Sequence, residues 1–252
     1  MSAAPFRLDG RTAVVTGASR GIGAAVAEGL LRAGADVITM QRGGHAAHLE
    51  DVARECGASL SAVAVDLASV DSIDRACDEV LARGTVDVLV NNAGIQARHA
   101  AEAFPLDEFE AVLAVNTRAA FRLAQRFGAV MLERGSGRVV NMASLLSFQG
   151  GLRVAAYAAS KGAVAQLTKA LCNEWAARGV NVNAVAPGYI ATDMNEALLD
   201  DGVRRNQILE RIPAGRWGNP DDLAGAVVFL ASDAAAYVHG VVLPVDGGWL
   251  AR

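Results

Sequence analysis

The chain has 252 residues, of which 52% are hydrophobic and 20% are charged, so it can bury a sizeable core and is neither a disordered nor a fibrous protein. Its formal net charge of −4 gives no electrostatic reason to expect nucleic acid or an anionic membrane as a partner. Length and composition predict a single α/β domain that spans residues 1–252.

Apolar β-branched runs alternate along the chain with alanine-rich runs of helical spacing. The runs predict strands at 11–16, 35–40, 60–66, 86–91, 137–143, 180–186 and 240–245. They predict helices at 21–32, 46–56, 70–83, 106–134, 155–178 and 220–231. Because the strands are continuously apolar, they should be buried on both faces, as in a Rossmann-like, doubly wound parallel sheet of about seven strands with helices on both sides. The least regular region, 187–218, is predicted to be a substrate flap.

A glycine-rich turn, Thr-Gly-Ala-Ser-Arg-Gly-Ile-Gly at 16–23, joins the first strand to the first helix. Gly17 permits a tight turn, Gly21 lets backbone approach a pyrophosphate, and Gly23 lets the helix pack close to the strand. The free N–H groups of the helix start then face the anion. An ordinary turn would explain one glycine but not three at this spacing, so the pattern predicts a dinucleotide site.

Further motifs make the whole chain resemble the classical short-chain dehydrogenases/reductases. The glycine turn is similar to that family's glycine motif, residues 91–94 match its Asn-Asn-Ala-Gly motif, and Pro187-Gly188 matches the turn beside the nicotinamide. Asn116, Ser144, Tyr157 and Lys161 stand where the family has its catalytic tetrad. Segments 143–151, 212–218 and 245–252 resemble the branch of the family that acts on the sugar acids 2-dehydro-3-deoxy-D-gluconate and 2-deoxy-D-gluconate.

The resemblance implies an NAD(P)-dependent oxidoreductase that transfers a hydride between nicotinamide and a secondary alcohol or ketone of a small sugar acid. It implies that the cofactor is bound by Gly17, Ser19, Arg20, Gly21, Ile22, Gly23, Gln41, Arg42, Asp66, Leu67, Asn92, Ala93, Gly94, Tyr157, Lys161, Pro187, Gly188, Ile190 and Thr192.

The residue chemistry fits that activity. Tyr157 and Lys161 are four residues apart on a predicted helix, so they share one face, and the ammonium is expected to lower the phenol pKa from its ordinary value of about 10. Ser144 follows the fifth strand and can donate to a substrate carbonyl oxygen where charge develops. By resemblance, Asn116 positions a water that links Lys161 to solvent. Taken singly, each residue also has a purely structural explanation, such as a packed aromatic, a strand-end cap or a buried amide.

The choice of cofactor depends on the end of the second strand, where an acidic residue would favour NAD. Gln41 takes that position, Arg42 follows it, and Arg20 lies in the glycine turn. These charges suit a 2′-phosphate and favour NADP, whereas the sugar-acid relatives usually favour NAD. Arg42 could also be a solvated loop cation.

A sugar acid carries a carboxylate, so a cation is expected near the substrate pocket. Arg98 and Arg153 are the candidates, although either could be a surface charge, and Gln149 could bond a sugar hydroxyl. By resemblance, Ile190 and Thr192 touch the nicotinamide amide. No metal is expected: the histidines at 45 and 48 have no further ligand at metal spacing.

Cellular location and assembly are also predicted. The three cysteines include no closely spaced pair, and residues 1–11 lack the apolar core of a signal peptide, so we expect a cytoplasmic protein with no membrane partner. Trp249 near the terminus is expected to be exposed and to need a partner surface. By resemblance this tail and the two longest predicted helices form the interfaces of a homotetramer; the alternative is a tail folded onto its own subunit.

Two other functions stay open. The first keeps the chemistry and changes the substrate, giving a 3-oxoacyl reductase or a polyol or secondary-alcohol dehydrogenase. The second is a non-catalytic, nucleotide-sensing protein, which would have no need of Tyr157 and Lys161 together with Ser144.

Overall fold

A computed structural model describes residues 5–252 of the chain. Its strands are β1 (Thr12–Thr16), β2 (Asp36–Gln41), β3 (Leu60–Ala64), β4 (Val88–Asn91), β5 (Gly137–Met142), β6 (Val180–Pro187) and β7 (Val242–Val245). Its α-helices are α1 (Gly21–Arg32), α2 (His48–Cys56), α3 (Val70–Arg83), α4 (Leu106–Leu113), α5 (Ala119–Arg134), α6 (Ala155–Trp175), α7 (Glu196–Asp200), α8 (Gly202–Leu209) and α9 (Asp221–Ala231).

The seven strands form one sheet in the order β3-β2-β1-β4-β5-β6-β7, and every neighbouring pair is parallel. The predicted doubly wound α/β fold is therefore confirmed, and each predicted strand end lies within two residues of the observed one. Helices α1 and α3 have the predicted bounds.

Helices cover both faces of the sheet, as the continuously apolar strands predict. Ala13 and Val15 of β1 pack with α1, α2 and α9, whereas Val14 between them packs with α3, α5 and α6. All three side chains are fully buried. Side chains alternate across a strand, so β1 needs apolar residues at consecutive positions.

The chain changes direction across the sheet between β1 and β4, which are neighbours although β2 and β3 intervene in sequence. The connections after β1 and after β4 therefore diverge and leave a crevice at the carboxyl edge of the strands. The glycine turn and residues 91–94 lie at this crevice, which is the position where open α/β sheets bind ligands.

Two predicted elements are wrong in detail. The helix predicted at 106–134 is interrupted by a π-helical turn at Ala114–Arg118, because Asn116 turns its amide away from the helix to the backbone of the preceding loop. The predicted flap, 187–218, is not wholly irregular, since it contains α7 and α8. Asp201 caps α8 by accepting hydrogen bonds from the N–H groups of Val203 and Arg204.

The expectation that Trp249 is exposed is also wrong, and the alternative of a tail folded onto its own subunit holds. Its side chain is 4% exposed and packs with Leu145, Ile208 and Ile212. Its ring contacts the ring of Tyr189 at 4.7 Å between centroids. The tail is thus part of the subunit's own wall beside the flap. Among residues 5–252 no helix is both long and apolar enough to cross a membrane.

Candidate active site

The glycine turn has the backbone that its sequence predicts. Gly17 and Gly21 have positive φ angles of 71° and 56°, which side chains on a Cβ rarely allow. A Cβ on Gly23 would lie 2.1 Å from the carbonyl oxygen of Gly17 and 2.4 Å from the amide nitrogen of Asn92, so only glycine lets α1 pack this closely against the turn.

The start of α1 is a suitable place for an anion. No side chain of residues 5–252 caps this helix, and its first turn contains no acidic residue. Thr192 of the flap approaches from the other side, since a Cβ on Gly21 would lie 3.5 Å from the Thr192 methyl group. The turn, the helix start and the flap thus enclose a groove in which backbone N–H groups can bind the pyrophosphate of a dinucleotide.

The connection after β4 is tied to the glycine turn. The Thr16 hydroxyl accepts hydrogen bonds from the N–H groups of Asn92 and Ala93, both at 3.0 Å. The Asn92 side chain donates to the carbonyl oxygens of Thr16 at 2.9 Å and Gly17 at 3.2 Å. These bonds fix the position of Gly94, which directly follows Ala93, at the floor of the crevice.

Asn116 connects this loop to α6. Its side-chain oxygen accepts from the Ile95 N–H at 2.8 Å, and its amide nitrogen donates to the Ile95 carbonyl at 2.9 Å and to the Ser160 hydroxyl at 3.0 Å. Ser160 in turn donates to the carbonyl of Tyr157 at 2.7 Å. A Cβ on Gly94 would lie 3.3 Å from Asn116 Oδ1 and 3.7 Å from Lys161 Nζ, so both groups border the same glycine.

Lys161 is a buried cation beside Tyr157. Its side chain is 3% exposed, and its ammonium donates to the Met142 carbonyl at 2.6 Å and lies 5.5 Å from the centre of the Tyr157 ring. Burial disfavours the charged form and lowers the pKa of Lys161 to about 8.

The pKa of Tyr157 differs from the sequence expectation. Burial raises it to about 12, and the neighbouring Ser144 side chain only partly opposes this rise. The expected lowering by Lys161 is wrong in this structure, because the Lys161 ammonium is turned to the Met142 carbonyl and lies over the ring of Tyr157. Deprotonation of the phenol therefore needs a further positive charge or a hydrogen-bond donor near its oxygen.

Ser144 is held in place by a short helical turn at Leu145–Ser147. Its hydroxyl oxygen accepts from the N–H of Leu146 at 3.2 Å, and its own N–H donates to the Ser147 hydroxyl at 3.3 Å. Ser147 donates to the Lys161 carbonyl at 2.7 Å, so the loop after β5 is fastened to α6. The structure thus brings Asn116, Ser144, Tyr157 and Lys161 together at one edge of the sheet.

Comparisons with known proteins identify the family of this arrangement. A family model of the short-chain dehydrogenases, described as "Enoyl-(Acyl carrier protein) reductase", matches residues 17–250. The chain belongs to the short-chain dehydrogenase/reductase family. It is an NAD(P)-dependent oxidoreductase that acts on CH–OH groups, as its sequence predicts.

Several relatives span nearly the whole chain. The 2-dehydro-3-deoxy-D-gluconate 5-dehydrogenase of Bacillus subtilis (strain 168) is 48% identical over 98% of this chain and 97% of its own length. The crystal structure of a gluconate 5-dehydrogenase from Burkholderia cenocepacia J2315 in complex with NADP and tartrate has a TM-score of 0.92 and is 42% identical, with 98% of each chain covered. A structure from Beutenbergia cavernae, with NADP bound at low occupancy, has a TM-score of 0.95 and is 55% identical over 99% of this chain and 100% of its own.

The residues that were predicted to select the cofactor lie at the end of β2 and in the glycine turn. Gln41 is buried, accepts from the Ala18 N–H at 3.3 Å and donates to the Thr39 hydroxyl at 3.0 Å, so in this structure its amide supports the turn. Arg20 forms an ion pair with Asp193 of the flap at 2.9 Å. Arg42 is exposed and forms no ion pair within the described part of the chain. Of Arg20 and Arg42, the two cations predicted to bind a 2′-phosphate, Arg42 is thus the one without an ion pair in the described part of the chain.

The other predicted cofactor residues border the same groove or support it. Asp66 is exposed after β3, where its carboxylate accepts from the Ala68 N–H at 3.0 Å, and Leu67 follows it partly buried. Gly188 packs so tightly against the tail that a Cβ would lie 2.6 Å from the Cα of Asp246. Ile190 is 3% exposed and pairs through its backbone with Gly218, which closes the base of the flap.

The residues predicted to bind the substrate do not all lie at one cavity. A cavity of about 450 Å³ lies between the loop after β5 and the flap, and Gln149 lines it, whereas Arg98 and Arg153 do not. Arg153 is exposed, with a left-handed backbone (φ 63°) that is unusual for a residue with a side chain, and its carbonyl accepts from the His99 N–H at 3.0 Å.

The structure adds two cations that sequence reasoning missed. Arg204 and Arg211 line the cavity. The signal in the sequence for Arg204 was the helix capped by Asp201, and Arg211 follows two residues after that helix ends at Leu209. Within residues 5–252, His, Cys, Asp and Glu side chains form no cluster of three or more that could hold a metal ion.

Proposed function

We propose that this protein is an NADP-preferring dehydrogenase that interconverts a secondary hydroxyl group and a ketone on a six-carbon sugar acid, such as 2-dehydro-3-deoxy-D-gluconate or 2-deoxy-D-gluconate. The observation that carries the proposal is the meeting of Ser144, Tyr157 and Lys161 beside a groove built for a dinucleotide. Support for the substrate class comes from relatives named for 2-dehydro-3-deoxy-D-gluconate and gluconate at 40–48% identity.

A nicotinamide bound in this groove would accept the hydride when the alcohol is oxidised and supply it when the ketone is reduced. In oxidation, Tyr157 as the phenolate removes the hydroxyl proton; in reduction, the phenol returns that proton to the alkoxide oxygen. Ser144 donates a hydrogen bond to the same oxygen and fixes its position. Oxidation of the alcohol thus gives one proton to Tyr157 and one hydride to the nicotinamide, so atoms and charge balance.

Lys161 and Asn116 support Tyr157 rather than touch the reacting carbon. The Lys161 ammonium stabilises the phenolate when it turns from the Met142 carbonyl towards the phenol oxygen, and that turn is short because Nζ already lies over the ring. Asn116 holds the loop before it and α6 at a fixed spacing through Ile95 and Ser160. By family resemblance, it also positions a water that carries the proton to solvent.

Preference for NADP rests on charge. Arg42 presents a guanidinium without an acidic partner in the described chain, at the strand end where an acidic residue would repel a 2′-phosphate. Solved structures similar to this chain hold NADP. Both observations support NADP over NAD.

We also propose that residues 187–218 act as a substrate flap, that the protein is cytoplasmic and that it assembles as a homotetramer. Thr192 lies against the glycine turn and Arg204 against the cavity, which supports a covering role for the flap. The free cysteines support a reducing compartment. Exposed Phe121 and Val130 on α5 support a subunit interface on that helix.

A polyol dehydrogenase is the second candidate, because a galactitol 2-dehydrogenase of Cereibacter sphaeroides is 41% identical over 97% of this chain. A 3-oxoacyl reductase fits less well, since two arginines and two glutamines stand among the apolar and aromatic side chains that line the cavity, whereas an acyl chain would need a long apolar groove. Steady-state absorbance of NADPH and NADH with 2-dehydro-3-deoxy-D-gluconate, galactitol and a 3-oxoacyl ester separates the three. The proposal expects the highest kcat/KM for the sugar acid with NADP; a higher value for galactitol or the ester would replace it.

A further inference from the structure

The cavity beside the active site is positively charged. It has a volume of about 450 Å³, within the range of small-molecule sites, and no acidic side chain of the described residues lines it. The lining residues that matter for its chemistry are Gln149, Leu152, Tyr189, Arg204, Arg211 and Trp249.

Arg211 lies over the Trp249 ring at the wall of this cavity. The central carbon of its guanidinium lies 4.1 Å from the centre of the Trp249 ring, so the two planes can stack. Arg211 forms no ion pair with any residue from 5 to 252. Its N–H groups at the edge of the stack are therefore available to an anion, and the stack restricts the orientation of the guanidinium.

Arg204 adds a second guanidinium to the same cavity. Its Nη1 donates to the side-chain oxygen of Gln207 at 3.2 Å, and it has no carboxylate partner in the described chain. Arg204 and Arg211 are therefore two cations without an acidic counterpart in the described chain that line one partly open cavity.

The cavity is joined to the catalytic residues by direct packing. Gln149 accepts a hydrogen bond from the Trp249 indole at 3.3 Å, and Leu145 packs in the same apolar cluster as Trp249. Ser144 precedes Leu145 in the loop. The loop after β5 thus carries both Ser144 and one wall of the cavity, Gln149 to Leu152, although no residue of the catalytic tetrad lines the cavity itself. We infer that a molecule whose hydroxyl or ketone lies at Ser144 directs its other end towards this wall.

We propose that Arg211, assisted by Arg204, binds the carboxylate of the substrate and selects sugar acids over neutral polyols. This assignment rests on the proposed function and names the residues that give it its substrate class. A planar guanidinium suits a carboxylate because it can donate two parallel hydrogen bonds. Arg98 and Arg153, the cations predicted from the sequence, do not line the cavity.

The test compares Arg211→Gln with Arg205→Gln, since Arg205 is an exposed arginine of the same flap, on α8, that does not line the cavity. We expect Arg211→Gln to raise the KM for 2-dehydro-3-deoxy-D-gluconate at least about tenfold and to lower the ratio of kcat/KM for the acid over galactitol by a similar factor. Arg205→Gln should change neither. Arg211→Lys keeps the charge and should recover part of the preference for the acid. A purely structural stack with Trp249 would instead affect kcat/KM for the acid and for galactitol by the same factor.

An unchanged acid-to-polyol ratio in a folded Arg211→Gln protein would overturn the assignment. If the wild-type protein turns over no sugar acid, the proposed function fails. Calorimetric titration of D-gluconate into the NADP-loaded protein then tests the carboxylate-binding role of Arg211 separately. Binding of D-gluconate that weakens at least about tenfold in Arg211→Gln supports this role. Equal affinity in both proteins, or no binding to the wild type, refutes it.

Discussion

Gly23→Ala is the sharpest perturbation of the cofactor groove, because the structure leaves no room for one added methyl group. The new Cβ would lie 2.1 Å from the Gly17 carbonyl oxygen and 2.4 Å from the Asn92 amide nitrogen. The Gly17 oxygen is backbone of the turn itself, so the overlap can be relieved only by moving α1 away from the turn.

Overpacking of this kind costs about 1–3 kcal/mol, and we expect the upper end because the obstructing atom is backbone. For a chain of this size, about 3 kcal/mol corresponds to a fall in Tm of about 6–12 °C. The displaced turn should also weaken cofactor binding. At NADP equal to 100 times the wild-type Kd, ligand binding stabilises the wild type by about 2.7 kcal/mol; a tenfold weaker Kd leaves about 1.4 kcal/mol.

Thermal unfolding with and without NADP measures both effects. Gly225→Ala is the matched control, because Gly225 lies in the interior of α9 and a Cβ there meets nothing within 4 Å. That variant should be stabilised by about 0.5–1 kcal/mol and should keep its response to NADP. A Gly23→Ala protein with the wild-type Tm and the wild-type response to NADP would refute this account of the groove.

Two further predictions concern charge. Arg42→Ala should raise the KM for NADP about tenfold or more and leave the KM for NAD nearly unchanged. The exposed Arg178→Ala is the control. Equal changes in KM for both cofactors would show that Arg42 does not bind the 2′-phosphate. Lys161→Met should abolish turnover and weaken cofactor binding, yet stabilise the cofactor-free protein at pH 7 by at most about 3 kcal/mol. The pKa of Lys161 is about 8, below its ordinary 10.5, so burying the charge opposes folding below pH 8. Between pH 8 and 10.5 the unfolded chain binds a proton that the folded protein does not, so the wild type becomes more stable as pH rises. The stability that Lys161→Met gains over the wild type should therefore shrink over this range. Denaturant unfolding at pH 7 and pH 10 measures the difference, with exposed Lys169→Met as the control.

The layout of the sheet and the catalytic cluster followed from local sequence patterns. Continuous apolar strands required burial on both faces, as Ala13, Val14 and Val15 show. Helix α3 could be bounded exactly because Ser69 is an N-cap, whose hydroxyl accepts from the Ser72 N–H, and Gly84 ends it.

Features set by contacts distant in sequence were not predictable in this way. Asn116 breaks its helix because its amide bonds to Ile95, 21 residues earlier. Trp249 is buried because Tyr189 and Ile212 of the flap provide a surface, which the isolated tail sequence does not reveal. Arg20 pairs with Asp193 only after the fold brings the flap to the glycine turn.

The pKa of Tyr157 shows the same limit. The spacing of Tyr157 and Lys161 placed them together, but it could not show that the ammonium bonds to the Met142 carbonyl or that burial raises the pKa of the phenol more than the hydrogen bond with Ser144 lowers it. The cavity cations Arg204 and Arg211 were missed because they lie in a segment that was predicted to be an irregular flap, whereas Arg204 is in α8 and Arg211 lies just after it.

The central claim is that Tyr157 transfers the proton in an NADP-dependent reaction on a sugar acid. The most direct measurement is the turnover of Tyr157→Phe with 2-dehydro-3-deoxy-D-gluconate, combined with titration of NADP binding to the same protein. We expect kcat to fall by about 10²–10⁴-fold, the usual contribution of a positioned acid or base, while the Kd for NADP changes by less than about threefold. Turnover close to that of the wild type in the variant would contradict the account, because it would show that the proton is carried by another group.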